Sequence, residues 1–508
     1  MAQPNTVRAL LDKAEGGAPA IAAPDRAPLS YQALRGFADD IVATLNQSGI
    51  GRGDTVAIVL PNGPEMATAF ITVAAGATTA PLNPAYREDE FAFYLDDLGA
   101  KAIILPASYD GPALVVAKRL GLAILHLTPS ESGPAGHFAL AMSGQESPAA
   151  TPGPAEADDI ALVLHTSGTT SRPKIVPLSQ ANLAASAAHI AETLCLGPTD
   201  RCLNIMPLFH IHGLIAAVLS SLGAGASVCC TPGFNALRFF TWMADAKPTW
   251  YTAVPTMHQA ILSRATKNQE TIRQTPLRFI RSSSSSLPPQ VMQELEAVFE
   301  APVIESYGMT EATHQMASNP LPPAPRKPGS VGIAAGPEVA VIGDDNRPLP
   351  GGKVGEIAIR GANVTKGYVN NDKANREAFT DGWFRTGDQG YFDPDGYLTI
   401  SGRLKEIINR GGEKISPREV DEVLLDHPAV AQAVTFAVRH DKLGEDVAAA
   451  IVLAEEATAD ARAIRDFAAG RLADFKVPRQ VLFVEEIPKG ATGKLQRIGL
   501  AKQLGLEE

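Results

Sequence analysis

The sequence predicts an α/β protein with a large N-terminal domain, built from parallel-type sheets flanked by helices plus a small β-barrel, and a small α+β C-terminal domain. Its 508 residues exceed the roughly 250–300 that one hydrophobic core usually serves, so at least two domains are expected. Over residues 55–104, short apolar runs alternate with helical patterns, which is typical of a parallel sheet covered on both faces. Between 320 and 400, apolar runs separated by Gly and Pro indicate antiparallel strands, from which we expect the barrel.

The N-terminal domain begins with regular alternation. Apolar runs predict strands over 56–60, 80–82 and 102–105, and patterns of helical period predict helices over 65–74 and 88–98. Residues 106–157 are predicted to add a peripheral strand–helix unit and then an exposed segment. A buried strand over 160–164 leads into a polar loop, and Ser179 is predicted to cap an Ala-rich helix that reaches about residue 194.

The last hundred residues have a different pattern. In the string Ser-Pro-Arg-Glu at 416–419, serine can cap a helix, proline suits the first turn, and glutamate can reach back to the cap N–H. A helix is therefore predicted from there to His427. Strands over 430–438 and 480–484 and a helix over 460–472 complete a domain of about 100 residues, which is a usual domain size.

Composition and charge exclude some classes of partner. Hydrophobic residues make up 45% of the chain and charged residues 19%, as in globular enzymes. The formal net charge is −11, and no dense Lys/Arg run interrupts it. We therefore expect neither nucleic acid nor an anionic membrane as a partner, and local cations must meet any anionic substrate.

The four cysteines, Cys195, Cys202, Cys229 and Cys230, show neither Cys-x-x-Cys spacing nor histidines at metal-ligand distance, so we expect reduced packing residues. The first residues lack the basic and apolar regions of a signal peptide, and the last four are not a peroxisomal signal. No uninterrupted apolar run reaches about 18 residues. These features predict a cytoplasmic protein.

The polar loop after strand 160–164 combines hydroxylated residues, a glycine and two cations. Its backbone N–H groups can close around a phosphate, while Arg172 and Lys174 supply positive charge. An ordinary Ser/Thr/Gly turn is the alternative. The loop has neither the Walker Gly-Lys-Ser/Thr ending nor Gly-x-Gly-x-x-Gly spacing. The residues predicted to contact phosphate here are Thr166, Ser167, Gly168, Thr169, Thr170 and Lys174.

A second cluster, Glu-Ser-Tyr-Gly-Met-Thr-Glu at 305–311, follows a short apolar run. Adjacent Thr and Glu side chains can hold a phosphate oxygen and a Mg²⁺ ion, although a structural turn is again the alternative. The order Thr-Ser-Gly-Thr-Thr-x-x-Pro-Lys, together with Tyr-Gly-x-Thr-Glu, resembles the adenylate-forming superfamily. This superfamily holds AMP-forming acyl-CoA synthetases, luciferases and peptide-synthetase adenylation domains. Ile175 departs from the glycine that many relatives carry there.

The resemblance implies roles for the residues around the second cluster. Tyr307 would lie against adenine, Thr310 would touch the α-phosphate and Glu311 would ligate Mg²⁺. The serines before Leu287 occupy the place of a Gly-Gly-Ala-Pro turn whose backbone lines the adenine and acyl sites. The nucleotide-binding residues assigned on this basis also include Ser284, Ser285 and Glu305.

The resemblance extends to the C-terminal part. Asp388 and Arg403 match the residues that bind the ribose, and Lys494 matches a lysine that neutralises the carboxylate and α-phosphate as the adenylate forms. Lys405 coincides with a hinge, which implies a division into residues 1–402 and a mobile domain, 403–508. Gly412 would line the pantetheine tunnel. Read as isolated residues, these charges are ordinary solvated side chains and Gly412 belongs to an ordinary turn.

The predicted acyl pocket is polar. His210, His314 and Ser283 are hydrogen-bond donors, whereas a long acyl chain would need apolar walls worth about 0.8 kcal/mol per methylene. A second carboxylate buried without donors would cost several kcal/mol, so a small polar acid is favoured. His210 has an equal alternative role as a gate to the CoA tunnel. Strings such as Met-Thr-Glu-Ala-Thr-His at 309–314 are similar to the oxalyl-CoA synthetases of plants and fungi, a group within the superfamily.

The resemblance therefore implies an AMP-forming acyl-CoA synthetase that uses ATP, CoA, Mg²⁺ and a small carboxylate, with oxalate expected. Its implied catalytic residues are Lys494, Thr310, Glu311 and His210. Carboxylate would attack the α-phosphorus of ATP, and CoA thiolate would then attack the acyl-adenylate, with no covalent enzyme intermediate. Malonate or a medium-chain acid as substrate, a luciferase-like oxygenase and a non-catalytic nucleotide-binding protein are the alternatives.

Overall fold

Strands and helices alternate through most of the chain in the computed structural model, which describes residues 4–143, 147–166, 173–488 and 497–506. Numbered in chain order, the strands are β1 (Pro19–Ala23), β2 (Arg26–Ser30), β3 (Thr55–Ile58), β4 (Thr78–Pro81), β5 (Ala102–Pro106), β6 (Ala123–Pro129), β7 (Phe138–Ser143), β8 (Ile160–His165), β9 (Ile175–Ser179), β10 (Arg201–Asn204), β11 (Ser227–Cys230), β12 (Trp250–Ala253), β13 (Phe279–Ser282), β14 (Val303–Met309), β15 (His314–Ser318), β16 (Ile333–Ala334), β17 (Glu338–Ile342), β18 (Gly355–Arg360), β19 (Phe379–Thr380), β20 (Trp383–Phe392), β21 (Leu398–Arg403), β22 (Ile408–Arg410), β23 (Glu413–Ile415), β24 (Val430–His440), β25 (Gly444–Leu453) and β26 (Gln480–Phe483).

The α-helices are α1 (Val7–Leu10), α2 (Tyr31–Gln47), α3 (Pro64–Ala74), α4 (Glu88–Asp97), α5 (Pro112–Leu120), α6 (Gln180–Thr193), α7 (Ser220–Gly223), α8 (Phe239–Ala246), α9 (Pro255–Ala265), α10 (Gln269–Gln274), α11 (Pro289–Phe299), α12 (Asp372–Ala378), α13 (Pro417–Leu425), α14 (Ala461–Ala469) and α15 (Leu500–Gln503). Short 3₁₀ helices span Leu11–Lys13, Thr266–Asn268, Thr310–Ala312 and Asp474–Lys476, and a π helix spans His212–Leu219.

Two large sheets form the N-terminal part of the fold. The nine-stranded sheet has the order β16-β15-β14-β13-β12-β10-β11-β1-β2, and the seven-stranded sheet has the order β7-β6-β5-β3-β4-β8-β9. Their central strands are parallel, whereas the strands at their edges pair antiparallel with their neighbours. The predicted α/β class with parallel-type sheets flanked by helices is confirmed, and the antiparallel edges are an addition to it.

The largest apolar core contains side chains from both large sheets. Helix α3 contacts strands of each sheet, and α6 and the π helix pack beside it, so Phe70, Ile215 and Ile304 belong to one buried cluster. Helices α4 and α5 cover the outer face of the seven-stranded sheet, and α8, α9 and α11 cover that of the nine-stranded sheet. The predicted elements between 55 and 104 correspond to β3, α3, β4, α4 and β5.

The antiparallel strands predicted between 320 and 400 are present. Strands β17, β18, β20 and β19 form a sheet in that order, and β21 pairs with the second half of β20. The pairings of the described residues leave this sheet open, with β17 at an edge, so they do not close the barrel that we expected.

The C-terminal part is an α+β unit, as predicted. Strands β23, β22, β25 and β24 form a sheet in that order, and β26 adds parallel to β25. Helices α13 and α14 contribute Val420 and Ile464 to its core. The chain leaves one sheet at Arg403 and enters this one at Ile408. The predicted hinge at Lys405 lies on this connection, and the division at 402/403 stays a prediction.

Two predicted helix caps have different outcomes. The Ser179 Oγ accepts the N–H of Asn182, whose side chain accepts the Ser179 N–H, so this cap is confirmed. At Ser416 the predicted capping box is wrong, because its hydroxyl donates to the carbonyl of Ser401 and the Glu419 carboxylate pairs with Lys476 instead. This helix also ends at Leu425, two residues earlier than predicted.

The cysteine prediction is correct in part. Cys202, Cys229 and Cys230 are buried free thiols, and burial raises the pKa of each. Cys195 is exposed, so it is not the packing residue we expected. Within the described ranges, none of the helices has both the length and the hydropathy needed to cross a bilayer.

Candidate active site

Predicted site residues lie where parallel strands of the nine-stranded sheet end. Strand β13 ends at Ser282, the first residue of the serine run 282–286. Its parallel neighbour β14 ends at Met309, directly before the 3₁₀ helix Thr310–Ala312. Strands β10 and β12 end nearby at Asn204 and Ala253. The loops after these strands therefore leave one edge of the sheet, where open α/β sheets commonly bind ligands.

Tyr307, Asp388 and Arg403 meet at this edge although they are far apart in sequence. The Tyr307 hydroxyl donates to the Asp388 carboxylate, and the Arg403 Nε donates to Asp388 Oδ1 at 2.9 Å. Asp388 and Arg403 are cross-strand partners on β20 and β21, which fixes their separation. Burial raises the pKa of Tyr307, and the neighbouring Asp388 carboxylate raises the pKa of Arg403. The arrangement places one carboxylate beside a phenol and a guanidinium.

Glu311 is a buried carboxylate with an unpredicted partner. The hydroxyl of Tyr368 donates to Glu311 Oε1 at 2.8 Å, and the Lys174 Nζ lies 4.4 Å from the centroid of the Tyr368 ring. Burial raises the pKa of Glu311, while the Tyr368 hydrogen bond and the charges of Arg403 and Lys174 oppose that rise. No local signal in the sequence indicated Tyr368. Thr310 lies half-buried directly before Glu311.

Of the predicted phosphate loop, the described residues include only the two ends, at Thr166 and at Lys174. The Thr166 N–H donates to the carbonyl of Lys174 at 2.9 Å, which closes the base of the loop between β8 and β9. Ile175 is the first residue of β9 and is buried, so its side chain packs as expected for a residue after the loop. Ser167, Gly168, Thr169 and Thr170 lie outside the described residues, as does Lys494.

The serine run has a backbone that suits glycine. Ser284 has φ of 75°, in the left-handed region, which agrees with the resemblance to a turn containing two glycines. Ser283 is buried, and its hydroxyl donates to the carbonyl of Ser306 at 3.0 Å. Ser285 is exposed, and its hydroxyl donates to the carbonyl of Ser284. Of the three, Ser284 alone has a hydrogen bond to a histidine among the described contacts.

Glu305 is buried and contacts Leu287, the residue that follows the serine run. Its Oε1 accepts the Leu287 N–H at 3.0 Å, while its Oε2 has no hydrogen-bond partner among the residues that the structure describes. Burial raises the pKa of Glu305 to about 7. These contacts make Glu305 a support for the end of the serine run, and its assignment to the nucleotide site remains a prediction.

Replacing Glu305 by glutamine is expected to stabilise the protein at high pH only. The unfolded carboxyl ionises near its ordinary pKa of 4.5, whereas the folded protein keeps it protonated up to about 7. Stability from this group is therefore lost as pH rises between these values. We expect Glu305→Gln to raise the free energy of unfolding by about 3 kcal/mol at pH 8 and to leave it nearly unchanged at pH 4.5. Denaturant titration at both pH values tests this.

The matched control for that experiment is Glu294→Gln, at an exposed position of α11. It should leave the stability unchanged at both pH values. A gain from Glu305→Gln of the same size at pH 4.5 and pH 8 would contradict the titration argument.

Three histidines gather beside Ser284. His210 is half-buried, and its Nδ1 accepts the N–H of His212 at 3.4 Å. His212 begins the π helix, is fully buried, and lies 3.0 Å through Nδ1 from Ser284 Oγ and 2.6 Å through Nε2 from Thr252 Oγ1. Its ring centroid is 5.0 Å from that of His314. The predicted pocket residues His210 and His314 are thus joined by His212.

The backbone around these histidines is unusual. Thr313 and His314 have φ of 50° and 101°, both positive in residues other than glycine. Gly213 cannot carry a side chain, because a Cβ there would lie 2.4 Å from the carbonyl oxygen of Pro207. Strained backbone and π helices both occur frequently at functional sites, so this local geometry supports a functional pocket.

Two pocket residues were not assigned from the sequence. His212 lies two residues after the predicted pocket residue His210, and this closeness in sequence could have indicated that it belongs to the pocket. Arg281 is fully buried on β13, where a single arginine among apolar residues was a signal that sequence reasoning did not use. Both residues contact the histidine–serine cluster.

Gly412 is not in contact with this cluster in the described arrangement. Gly411 and Gly412 form the two-residue turn between β22 and β23, with φ of 60° and 100°. Such a turn requires positive φ at both positions, so it alone explains both glycines. A Cβ added at Gly412 would meet nothing within 4 Å. Its predicted contact with CoA stays a prediction.

The site has two chemically different halves. One half holds the Asp388 and Glu311 carboxylates with Tyr307, Arg403 and Lys174, which suits ribose hydroxyls and phosphates. The other half holds histidines and hydroxyls, which are donors for a small anion. Because Met309 pairs with His314 across β14 and β15, the two halves are adjacent.

Comparisons with known proteins agree on one class of enzyme. The family model "AMP-binding enzyme" matches residues 11–369, and the model "AMP-binding enzyme C-terminal domain" matches residues 419–494. The oxalate–CoA ligase of Arabidopsis thaliana is 48% identical over 457 residues, which cover 89% of each chain. That of Saccharomyces cerevisiae is 44% identical over 475 residues, covering 89% of this chain and 87% of the other.

Solved structures give the same result for the fold. The crystal structure of ATP-bound MatB from Rhodopseudomonas palustris matches with a TM-score of 0.86 at 31% identity, and the match covers 97% of each chain. The similarity therefore includes both the N-terminal sheets and the C-terminal unit.

Proposed function

Because this chain belongs to the AMP-binding enzyme family, we propose that it is an AMP-forming acid–thiol ligase that activates oxalate with ATP and transfers the oxalyl group to CoA. The observation that supports the choice of acid is the polar cluster of Ser284 and His314, with His212 between them, beside the Tyr307–Asp388–Arg403 group. This cluster offers donors to a small anion and little apolar surface to a fatty chain. Two relatives that share 44–48% identity are oxalate–CoA ligases.

The nucleotide is proposed to bind along the carboxylate half of the site. Asp388 is already held by Tyr307 and Arg403, so its carboxylate is oriented before a ligand arrives, and it would accept hydrogen bonds from both ribose hydroxyls. Tyr307 would lie against the adenine. Thr310 would donate to the α-phosphate, and Lys174 would supply charge to the phosphates beside the loop that begins at Thr166.

Glu311 fits a Mg²⁺ site that is completed by substrate. The part of the chain that the structure describes contains no group of three metal-ligating side chains. Mg²⁺ commonly binds through one or two carboxylates plus substrate phosphates, and Glu311 keeps one carboxylate oxygen beyond the one bonded to Tyr368. When bound, Mg²⁺ would neutralise phosphate charge. Tyr368 would keep the Glu311 carboxylate oriented toward it.

The proposed reaction has two steps. A carboxylate oxygen of oxalate attacks the α-phosphorus of ATP, the bond to the bridging oxygen breaks, and pyrophosphate leaves. The thiolate of CoA then attacks the carbonyl carbon of oxalyl-adenylate, and AMP leaves. Lys494 would stabilise the charge of the first step, His210 would border the path of the thiol, and Gly412 would approach it after rotation about Lys405.

A panel of acids tests the function. We expect AMP release that requires both oxalate and CoA, with a higher kcat/KM for oxalate than for malonate, acetate or hexanoate. Without CoA, oxalate should still support exchange of labelled pyrophosphate into ATP. Indifference to oxalate would contradict the choice of acid, and oxygen uptake or light emission would indicate a luciferase-like oxygenase instead.

A further inference from the structure

Arg281 is a buried cation that has no counter-ion among the described residues. Its side chain has no solvent exposure, and none of the carboxylates in the described ranges forms an ion pair with it. The nearby Cys202 is a thiol whose pKa is raised by burial, so it is not an anion. Burying an unpaired charge is costly, and a missing counter-ion can be supplied by a ligand.

The polar contacts of Arg281 lead toward the proposed acyl pocket. Its Nη1 lies 3.5 Å from His212 Nε2, and its Nη2 donates to Gln315 Oε1 at 3.3 Å. Its Nε has no hydrogen-bond partner in the described part of the chain. Gln315 in turn donates to Thr193 at 3.0 Å, so its amide is held in place. The guanidinium therefore lies on the Nε2 side of the His212 ring, whereas Ser284 lies on its Nδ1 side.

Arg281 determines which nitrogen of His212 carries the proton. A guanidinium only donates, so His212 Nε2 must accept, and the Thr252 hydroxyl at 2.6 Å can also donate to it. The ring proton then sits on Nδ1 and is donated to Ser284 Oγ at 3.0 Å. A proton on Nε2 would face the guanidinium, so the contact favours the tautomer with the proton on Nδ1.

Ser284 is the last of the three residues, after Arg281 and His212, and it lies at the surface of the pocket. It is only half-buried, and the structure gives its hydroxyl no other partner among the described residues. Because Ser284 Oγ accepts from His212, its own hydrogen is available to donate to a ligand. Its backbone is held in the left-handed region, with φ of 75°, so the hydroxyl position is fixed by local geometry.

We propose that Arg281, His212 and Ser284 form a relay that binds the second carboxylate of a dicarboxylate substrate and selects dianionic over monoanionic acids. The first carboxylate loses its charge when the adenylate forms, whereas the second keeps its charge through both steps and needs a counter-ion throughout. Arg281 and His212 act as positioning residues, because Ser284 makes the contact with the substrate. The inference rests on the proposed function and adds to it the residues that determine specificity.

The test compares oxalate with oxamate, which has nearly the same shape but replaces one carboxylate by a neutral amide. We expect Arg281→Met to lower kcat/KM for oxalate by about 100-fold in pyrophosphate exchange, and to lower that for oxamate by less than about fivefold. Arg281→Lys should restore part of the preference for oxalate. An equal loss for both acids would assign Arg281 a purely structural role and overturn the relay.

Arg278→Met is the matched control, because Arg278 lies three residues earlier and pairs with Asp200 at 3.0 Å, away from the pocket. It should lower Tm and leave the oxalate-to-oxamate ratio unchanged. If Arg281→Met does not fold, Ser284→Ala should lower kcat/KM for oxalate by about tenfold with little effect on oxamate, and an unchanged ratio would overturn the relay.

Failure of the relay and failure of the proposed function give different results. If the wild-type protein ignores oxalate but activates another dicarboxylate, the choice of acid is wrong, and the same ratio measured with that acid and its monoamide tests the relay. If the wild-type protein prefers monoanionic acids throughout, the relay is wrong while the ligase activity stands.

Discussion

Replacing Lys494 by alanine is expected to lower oxalate-dependent exchange of pyrophosphate into ATP by about 10³-fold. Lys494 lies in the string Pro-Lys-Gly-Ala-Thr-Gly-Lys at 488–494. In the proposed first step, negative charge accumulates between the attacking carboxylate and the α-phosphate, and a cation at that point stabilises the transition state more than the ground state. Formation of oxalyl-CoA from supplied oxalyl-adenylate does not involve the transition state of the first step. Its rate should therefore change by less than about threefold in Lys494→Ala.

The control variant is Lys489→Ala, which removes the same charge from the same short segment. It should change both half-reactions by less than about twofold, since no role in either step is proposed for it. If Lys494→Ala slows thioester formation as much as adenylation, the lysine does not act in the first step alone, and the assigned role is wrong.

Sequence reasoning succeeded where structure is determined locally. The elements from β3 to β5 follow directly from alternating apolar and helical patterns, and the capping box at Ser179 needs only Asn182, three residues away. At Ser416 the same reasoning failed. The Ser416 hydroxyl bonds to Ser401 on another strand, and Glu419 bonds to Lys476, so tertiary contacts replaced the local cap.

Strand order was not predictable from the same patterns. Pairing of β15 with β14, or of β9 with β8, reverses the chain direction at the edges of otherwise parallel sheets. An apolar run has the same pattern in a parallel or an antiparallel neighbour, because the side-chain period is two in both. The order is decided by connections and by packing of helices between the sheets.

In the site, Asp388, Arg403 and Glu311 were assigned from short, local motifs, and their roles at the ribose and the metal stay predictions. Tyr368 was missed, since it lies far from Glu311 in sequence and nothing near it indicates a partner. Arg281 was missed because an arginine in a strand is usually at the surface. Its significance appears only once the structure shows complete burial and the absence of an acidic partner within the described chain.

Replacing Glu311 by glutamine is expected to lower kcat/KM for ATP by about 10³-fold. Glutamine keeps an oxygen that accepts the Tyr368 hydrogen bond but removes the charge proposed to hold Mg²⁺ on the phosphates. Titration of activity against Mg²⁺ should therefore require higher metal concentrations in the variant. An unchanged Mg²⁺ dependence with lowered activity would show that Glu311 has another role.

Tyr368→Phe separates the charge of Glu311 from its orientation. This variant keeps the carboxylate and loses only the 2.8 Å hydrogen bond, so activity should fall by about tenfold. That hydrogen bond lowers the pKa of Glu311, which burial raises, so its loss should raise this pKa further. The proposed role of Glu311 requires the ionised carboxylate, so the acidic limb of the pH–rate profile should move to higher pH in Tyr368→Phe. In Glu311→Gln the acidic limb should be absent, because the group that titrates has been removed. An acidic limb that persists unchanged in this variant would show that another residue titrates there.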